Sequence, residues 1–284
     1  MIDRFAIIIG AMKCGTTSLF NYLAQHPQIA PCREKEPSFF ARDAELAKGL
    51  DHYDSLWDFD PAAHRVAMEG STDYAKMPRF PNVAQRIAQV PDRDFRFIYV
   101  MRHPVDRIES QTVHGTFEGR KRPIFAPIKE HEIEISQYAM QLDAYVEAFG
   151  RGRLLLLFTE DLKARPLETV REVCRFIDVD PDYPFEGLDV VHHQRKGYLD
   201  QMVHPWILAA RRAPRLHRAA RTVLPYRLRQ SITRHLGGGS DRHFRLSRRK
   251  RRYIHRRLLA DLRRLHEVYG VDVEGRWGLS LNKA

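Results

Sequence analysis

The sequence predicts an α/β fold: a doubly wound parallel sheet flanked by helices, with a helical basic insert near the C-terminus. Short β-branched or leucine-rich apolar runs recur along the chain. Most are followed by a turn signal and a helical pattern, the alternation that parallel sheets require. The 284 residues, 43% hydrophobic and 10% aromatic, suffice for one buried core and exclude a globally disordered chain.

The elements follow in order. Strands are expected at Phe5 to Ile9, Val66 to Met68, Phe95 to Met101 and Leu154 to Phe158. Helices are expected at Thr16 to Gln25, Pro81 to Ala88, Pro104 to His114, Ser136 to Phe149 and Pro166 to Ile177, with Pro104 and Pro166 where a first turn tolerates proline. Pro205 to Leu236 reads as short arginine-rich helices broken by Pro214 and Pro225, followed by a Gly237-Gly238-Gly239 hinge. A last helix, Ser247 to Tyr269, places Tyr253, Leu258, Leu262, Leu265 and Val268 at helical spacing. The expected organisation is a single domain over residues 1–284, with the insert at about 200–243.

Charge is regional. The net +11 suggests a polyanionic partner such as nucleic acid, anionic lipid or an acidic substrate. Arg195 to Arg257 holds 19 Lys and Arg against two acids, a balance of +17, so the remainder is −6. The basic stretch is an acceptor-gating lid, a lipid-facing patch carrying Trp206, Ile207, Leu208 and Leu224, or a solvated helical face.

Cys14, Cys32 and Cys174 are too few and too irregular for a disulfide framework or a cysteine zinc site, and His192-His193 has no partner at ligand spacing. No apolar run reaches the roughly 18 residues of a membrane span. The expected location is cytoplasmic, with peripheral contact at an anionic inner membrane surface through the insert.

The first strand runs into Gly10-Ala11-Met12-Lys13-Cys14-Gly15-Thr16-Thr17-Ser18 and then a helix. A glycine turn into a helix N-terminus aims several backbone amides at one point, where the dipole also favours an anion. Lys13 adds a charge, and Thr16, Thr17 and Ser18 add hydroxyls, or a threonine simply caps the helix. The lysine precedes the second glycine, so the loop is P-loop-like without Walker A spacing. A second motif, Arg102-His103-Pro104-Val105-Asp106-Arg107-Ile108-Glu109-Ser110, follows the strand ending at Met101. Arg102 offers a planar fork for phosphate, and Ser110 lies two turns into the next helix. Arg107 reads as a helix-surface charge.

In these two motifs the chain resembles the sulfotransferases that use 3′-phosphoadenosine-5′-phosphosulfate (PAPS), in the branch of heparan sulfate sulfotransferase domains and their bacterial relatives. The resemblance implies that Lys13, Cys14, Gly15, Thr16, Thr17 and Ser18 hold the 5′-phosphosulfate, that Arg102 and Ser110 hold the 3′-phosphate, and that Arg195 and Lys196 close over the nucleotide. Glu160-Asp161-Leu162 and Leu265 to Trp277 are similar to further elements of the family. Within Arg33-Glu34-Lys35-Glu36-Pro37-Ser38-Phe39-Phe40 it implies Glu36 as the base, strengthened by partial burial against Phe39 and Phe40; the other reading is a solvated loop charge. Phe39, Asp73 and Tyr74 are the implied acceptor contacts, although Asp73 and Tyr74 serve equally as turn caps. Ser38 stands where the family often has His, and Gly70 where it usually has Lys, which points to a less anionic acceptor than heparan.

The implied reaction is transfer of a sulfuryl group from PAPS to an acceptor hydroxyl or amine of a glycan, lipid or small molecule. It yields PAP, requires no metal and has Lys13 and Glu36 as catalytic groups. A small-molecule kinase and a basic nucleic-acid or membrane-surface binder are the alternatives; no nucleic-acid partner is expected.

Overall fold

The computed structural model describes residues 2–34, 36–117, 128–188 and 245–282. All but Arg245 belong to a compact unit of Met1–His192 with Leu246–Ala284. The expected basic insert, together with Arg195 and Lys196, lies outside the described residues.

Five strands form one parallel sheet: β1 (Arg4–Gly10), β2 (Ile29–Pro31), β3 (Val66–Gly70), β4 (Asp94–Met101) and β5 (Leu154–Phe158), in the order β2-β3-β1-β4-β5. Ile7, Ile8 and Ile9 of β1 are fully buried, and each such side chain contributes roughly 1.5–3 kcal/mol. The strand order reverses about β1, and open parallel sheets bind ligands outside the carboxyl ends of strands at such a reversal.

The main helices are α1 (Thr16–Leu23), α2 (Asp43–Leu46), α3 (Leu50–Asp54), α4 (Val83–Ala88), α5 (Pro104–Phe117), α6 (Glu130–Glu134), α7 (Tyr138–Phe149), α8 (Thr159–Ala164), α9 (Pro166–Phe176), α10 (Arg248–Tyr269) and α11 (Val273–Trp277). Four expected strands and the six expected helices of this unit are present, β5 with the expected bounds and the others with one or both ends shifted; the three-residue β2 and the short α2, α3, α6 and α8 are additional. The C-terminal stretch is two helices, because Gly270 adopts a left-handed cap before α11.

The buried stripe of α10 is Ile254, Leu258, Leu262, Leu265 and Tyr269. Tyr253 and Val268, expected on it, are the exposed large apolar side chains of the described residues. The inner face centres one residue later at each end because Asp261 must also face inward. Its carboxylate accepts from the amides of Ala139 (3.2 Å) and Met140 (2.9 Å), capping the start of α7. Arg251 reaches Glu109 (2.6 Å) and Asp106 (3.0 Å) on α5, so α10 clamps the helix that follows β4. No described helix is long and apolar enough to cross a membrane.

Candidate active site

The turn after β1 is built by backbone demands. Ala11 donates its amide to Val100 O at 2.8 Å, tying the loop to β4. Gly10 faces the Tyr99 ring so closely that a Cβ would sit 2.7 Å from Tyr99 Cε2, and Gly15 caps α1 at φ 90°, a conformation natural to glycine. Lys13 also takes a left-handed φ, 72°, a strained choice for a residue with a Cβ. The first bond into α1 runs from Leu19 N to Gly15 O, 3.1 Å. The amides of Gly15, Thr16 and Thr17 therefore have no backbone acceptor among the described residues and open toward the helix start.

Cys14 departs from its expected role. Its amide is spent on Ala11 O (3.1 Å), its carbonyl accepts from Thr159 Oγ1 (2.7 Å), and its side chain is buried near Tyr138. Burial pushes the thiol up to about 11, so it stays a neutral packing group. Thr159 Oγ1 also reaches Met101 O at 2.9 Å, so one hydroxyl joins the loop to the end of β4. Ser18, expected to face the ligand, is buried at 7% exposure, whereas Thr16 and Thr17 are partly exposed.

Arg102 begins where β4 ends. Its carbonyl accepts from Tyr138 Oη (2.8 Å), but its partly exposed guanidinium has no hydrogen bond or ion pair among the described residues. Ser110 is likewise partly exposed, with no side-chain partner among them. Arg107 overturns its sequence reading. It is fully buried, at 0%, and is one of the largest sealed side chains. Nε donates to Ser136 Oγ (2.6 Å), Nη2 to the Glu132 carbonyl (2.6 Å), and Nη1 to Gln111 Oε1 (2.8 Å) and the Met12 carbonyl (3.4 Å).

The Glu36 loop meets the turn after β3. Glu36 is exposed rather than packed on Phe39 and Phe40, and both Glu36 and Ser38 have left-handed φ, 56° and 54°. Thr72 Oγ1 donates to Glu36 Oε2 at 3.2 Å. Ser38 is buried: its amide donates to Ser71 Oγ (3.0 Å), and its hydroxyl lies 3.3 Å from both Asp73 Oδ2 and the Glu36 carbonyl. Serine thus fills the position expected of His as a structural tie. Behind it Ser71 Oγ donates to Glu69 Oε2 (3.4 Å), and Tyr53 Oη to Glu69 Oε1 (3.1 Å). Glu69 is fully buried, and burial pushes its carboxyl up to about 7 despite bonds from Tyr74, Tyr53 and Ser71.

Two expected acceptor contacts prove to be core. Phe39 and Tyr74 are each 1% exposed. The Phe39 ring packs at a tilt against Tyr53, centroids 4.7 Å apart, and Tyr74 Oη accepts from the Phe40 amide (3.2 Å). Asp73 is nearly buried and paired with Lys76 (2.6 Å) and Arg42 (3.0 Å). Burial alone would raise its carboxyl, and the two cations more than offset that, so it titrates below the usual carboxylate range. Lys76 and Arg42, the cations on Asp73, were not singled out from the sequence; the Cβ position of Gly70 lies 3.4 Å from Phe20. His26 is a turn residue, bonded to Asp180 O (2.9 Å) and the Gln28 amide (3.0 Å).

Strand register brings these pieces to one edge. Gly10 pairs with Tyr99, and Ile8 with Gly70. The Lys13 loop, Arg102 and the turn that holds Glu36 therefore all follow the carboxyl ends of β1, β4 and β3. A cavity lined by Arg4, Arg93, Asp94, Phe149 and Arg153 lies at the opposite strand ends, where its arginines are paired with carboxylates. No group of three His, Cys, Asp or Glu that could hold a metal occurs among the described residues.

The family model described as "Sulfotransferase domain" matches residues 3–257, nine-tenths of the chain. The chain belongs to the sulfotransferase domain family. Among its relatives, the bifunctional heparan sulfate N-deacetylase/N-sulfotransferase 1 of Caenorhabditis elegans is 24% identical over 200 residues, 63% of this chain and 22% of that protein. The heparan sulfate glucosamine 3-O-sulfotransferase 3A1 of Mus musculus is 27% identical over 186 residues, 61% of this chain and 45% of that protein. The matched region thus spans between about a fifth and a half of these relatives. A crystal structure of a sulfotransferase from Alicyclobacillus acidocaldarius superposes with a TM-score of 0.67 at 21% identity, covering 98% of this chain and 100% of that one. The sulfotransferase fold accounts for the parallel sheet flanked by helices.

Proposed function

We propose that this sulfotransferase domain uses PAPS as donor, transfers its sulfuryl group to an acceptor hydroxyl or amine, and releases PAP. The observation that carries the reading is the pair of anion-ready features on adjacent strand ends. The amides of Gly15, Thr16 and Thr17 open at the start of α1, and the Arg102 guanidinium stands without a partner among the described residues at the end of β4. Two anionic groups separated by a nucleoside fit such a pair better than a single phosphate does.

The donor, when bound, supplies an activated sulfuryl group on a good leaving phosphate. The protein's residues then have separate tasks. Lys13 and the loop amides would hold the 5′ end and stabilise charge gathering on the departing phosphate. Arg102 and Ser110 would fix the 3′-phosphate, and Arg195 and Lys196, outside the described residues, are proposed as its further contacts. Glu36, oriented by Thr72, would take the acceptor proton as the new oxygen–sulfur bond forms. Much of the rate would come from alignment of acceptor and donor.

Acceptor contacts are better sought at Arg42, whose side chain is exposed, than in the buried Phe39 and Tyr74. That cation favours an acceptor with some negative charge, against the weaker anion that Gly70 suggested. The relatives' names support a glycan as the first class to try. Calorimetry decides the donor: micromolar or tighter binding of PAP, with none of ATP and Mg²⁺, is expected, and the reverse result would overturn the reading. Transfer of label from PAPS to a panel of glycans, glycolipids and phenols then identifies the acceptor class.

A further inference from the structure

Arg107 presents a buried charge that no described carboxylate pairs with. Its four acceptors are two carbonyls, a hydroxyl and an amide oxygen, all neutral. The acids that flank it on α5 are engaged elsewhere. Asp106 and Glu109 both bind Arg251, and Glu109 also accepts from the Leu246 amide at 2.8 Å. Among the described residues no carboxylate forms an ion pair with Arg107. A sealed guanidinium lacking a counter-ion is costly, and neutral hydrogen bonds offset only part of that cost.

Its position gives the charge a use. Nη1 meets the carbonyl of Met12, the residue before Lys13, so the guanidinium underlies the loop whose amides open at the start of α1. It also acts electrostatically on Cys14, the next residue but one along that loop. Nε and Nη2 meanwhile bind Ser136 and the Glu132 carbonyl, anchoring the side chain from the α6 end and the turn after it. A surface arginine would be screened and mobile; this one is fixed in a poorly screened setting, where a charge acts more strongly.

We propose that Arg107 is a positioning residue and buried counter-charge for the anion held by the Lys13 loop. It does not touch the ligand. It holds the Met12 carbonyl and supplies positive potential from beneath, and the bound 5′-phosphate group completes the charge balance that the described residues leave open. The inference rests on the donor reading above, because that reading places an anion in the loop.

The test is PAP binding and PAP-induced thermal stabilisation for wild type, Arg107→Gln and Arg107→Lys. Arg107→Gln is expected to bind PAP at least tenfold more weakly, ~1.4 kcal/mol, and to show a smaller PAP-induced rise in Tm. Arg107→Lys keeps a charge but not the four-way fork; its apo Tm should fall while PAP affinity stays within about threefold of wild type, ~0.7 kcal/mol. The loss in Arg107→Gln should persist at high salt, whereas the loss in Arg102→Gln should shrink. A merely structural arginine predicts the opposite pattern: lowered apo Tm in both variants with PAP affinity intact in each. A folded Arg107→Gln that binds PAP like wild type overturns the proposal. If that variant does not fold, an Arg107→Lys protein whose PAP affinity collapses overturns it. Wild type that binds no PAP defeats the donor reading itself, which separates the two failures.

Discussion

The two loops at the carboxyl edge of the sheet are held by different means. The Lys13 loop is fixed from its backbone: Ala11 N to Val100 O, the Cys14 carbonyl to Thr159, the Met12 carbonyl to Arg107, and glycine at the left-handed cap. The Glu36 loop is fixed largely through side chains, Ser38, Ser71, Thr72 and Asp73, with left-handed φ at two residues that are not glycine. Backbone fixing suits a site that must recognise the same phosphate groups every time. Side-chain fixing can be changed by substitution without disturbing the sheet, and that suits an acceptor site.

The largest effect should separate the loops by their kinetics. Glu36→Gln is expected to lower kcat about 10²–10⁴-fold, the usual range for a lost proton acceptor, while leaving the Kd for PAP unchanged by calorimetry. An unaltered kcat would remove Glu36 from the chemistry and leave it as a loop charge.

Lys13 should behave otherwise, losing turnover by roughly 10²–10³-fold and weakening PAP binding as well. Lys13→Gly is the better variant, since it deletes the ammonium and accepts the 72° φ that alanine would resist. Turnover equal to wild type in either variant would refute the assignment.

The sequence made one loop more legible than the other. Gly10, Gly15 and the threonines state the backbone geometry directly, because few other residues tolerate it. The Glu36 loop was legible only by resemblance, since its geometry depends on Ser71, Thr72 and Asp73, more than 30 positions away. Phe39 and Tyr74 looked like pocket residues for the same reason: an aromatic beside a polar motif does not disclose which way it faces. Arg107 was misread because charge normally marks the solvent side of a helix. Its spacing held a signal, three residues after Pro104 and next to Ile108, on the buried side of α5. The strand β2 was missed because three residues ending in proline carry no periodicity.

Glu69 extends the comparison to pH, since it lies behind the side-chain-held loop. Its carboxyl titrates near 7 in the folded protein, against 4.5 for an ordinary one. The native state therefore holds a proton that the unfolded chain releases between those values, and stability should fall as pH rises through that window, by about 3 kcal/mol in all. Asp261, raised to about 6 from 3.8, acts in the same sense over a lower window. Asp73 has the opposite sign: its contribution is present above its unfolded value and is lost as pH falls through its lowered one. Denaturant midpoints measured across this range should show a shallower slope in Glu69→Gln between about 4.5 and 7; an unchanged slope would mean that Glu69 is ionised in the fold.

The smallest expected effects make the most direct test, because two substitutions of similar cost act on opposite loops. Thr159→Val removes the hydroxyl that serves the Cys14 and Met101 carbonyls, and Ser71→Ala removes the one between the Ser38 amide and Glu69. Each takes a hydrogen bond from a buried polar group, the Cys14 and Met101 carbonyls in one case and the Ser38 amide in the other, at about 1–3 kcal/mol of stability. If the loops divide the work as their construction suggests, the functional signatures differ although the stability losses match. Thr159→Val should weaken PAP binding several-fold and change kcat little once donor is saturating. Ser71→Ala should keep PAP affinity and lower kcat, because the loop it loosens carries Glu36, the proposed proton acceptor. Equal losses of PAP affinity in both variants would show the two loops to be one mechanical unit, and the division between backbone-held and side-chain-held sites would fail.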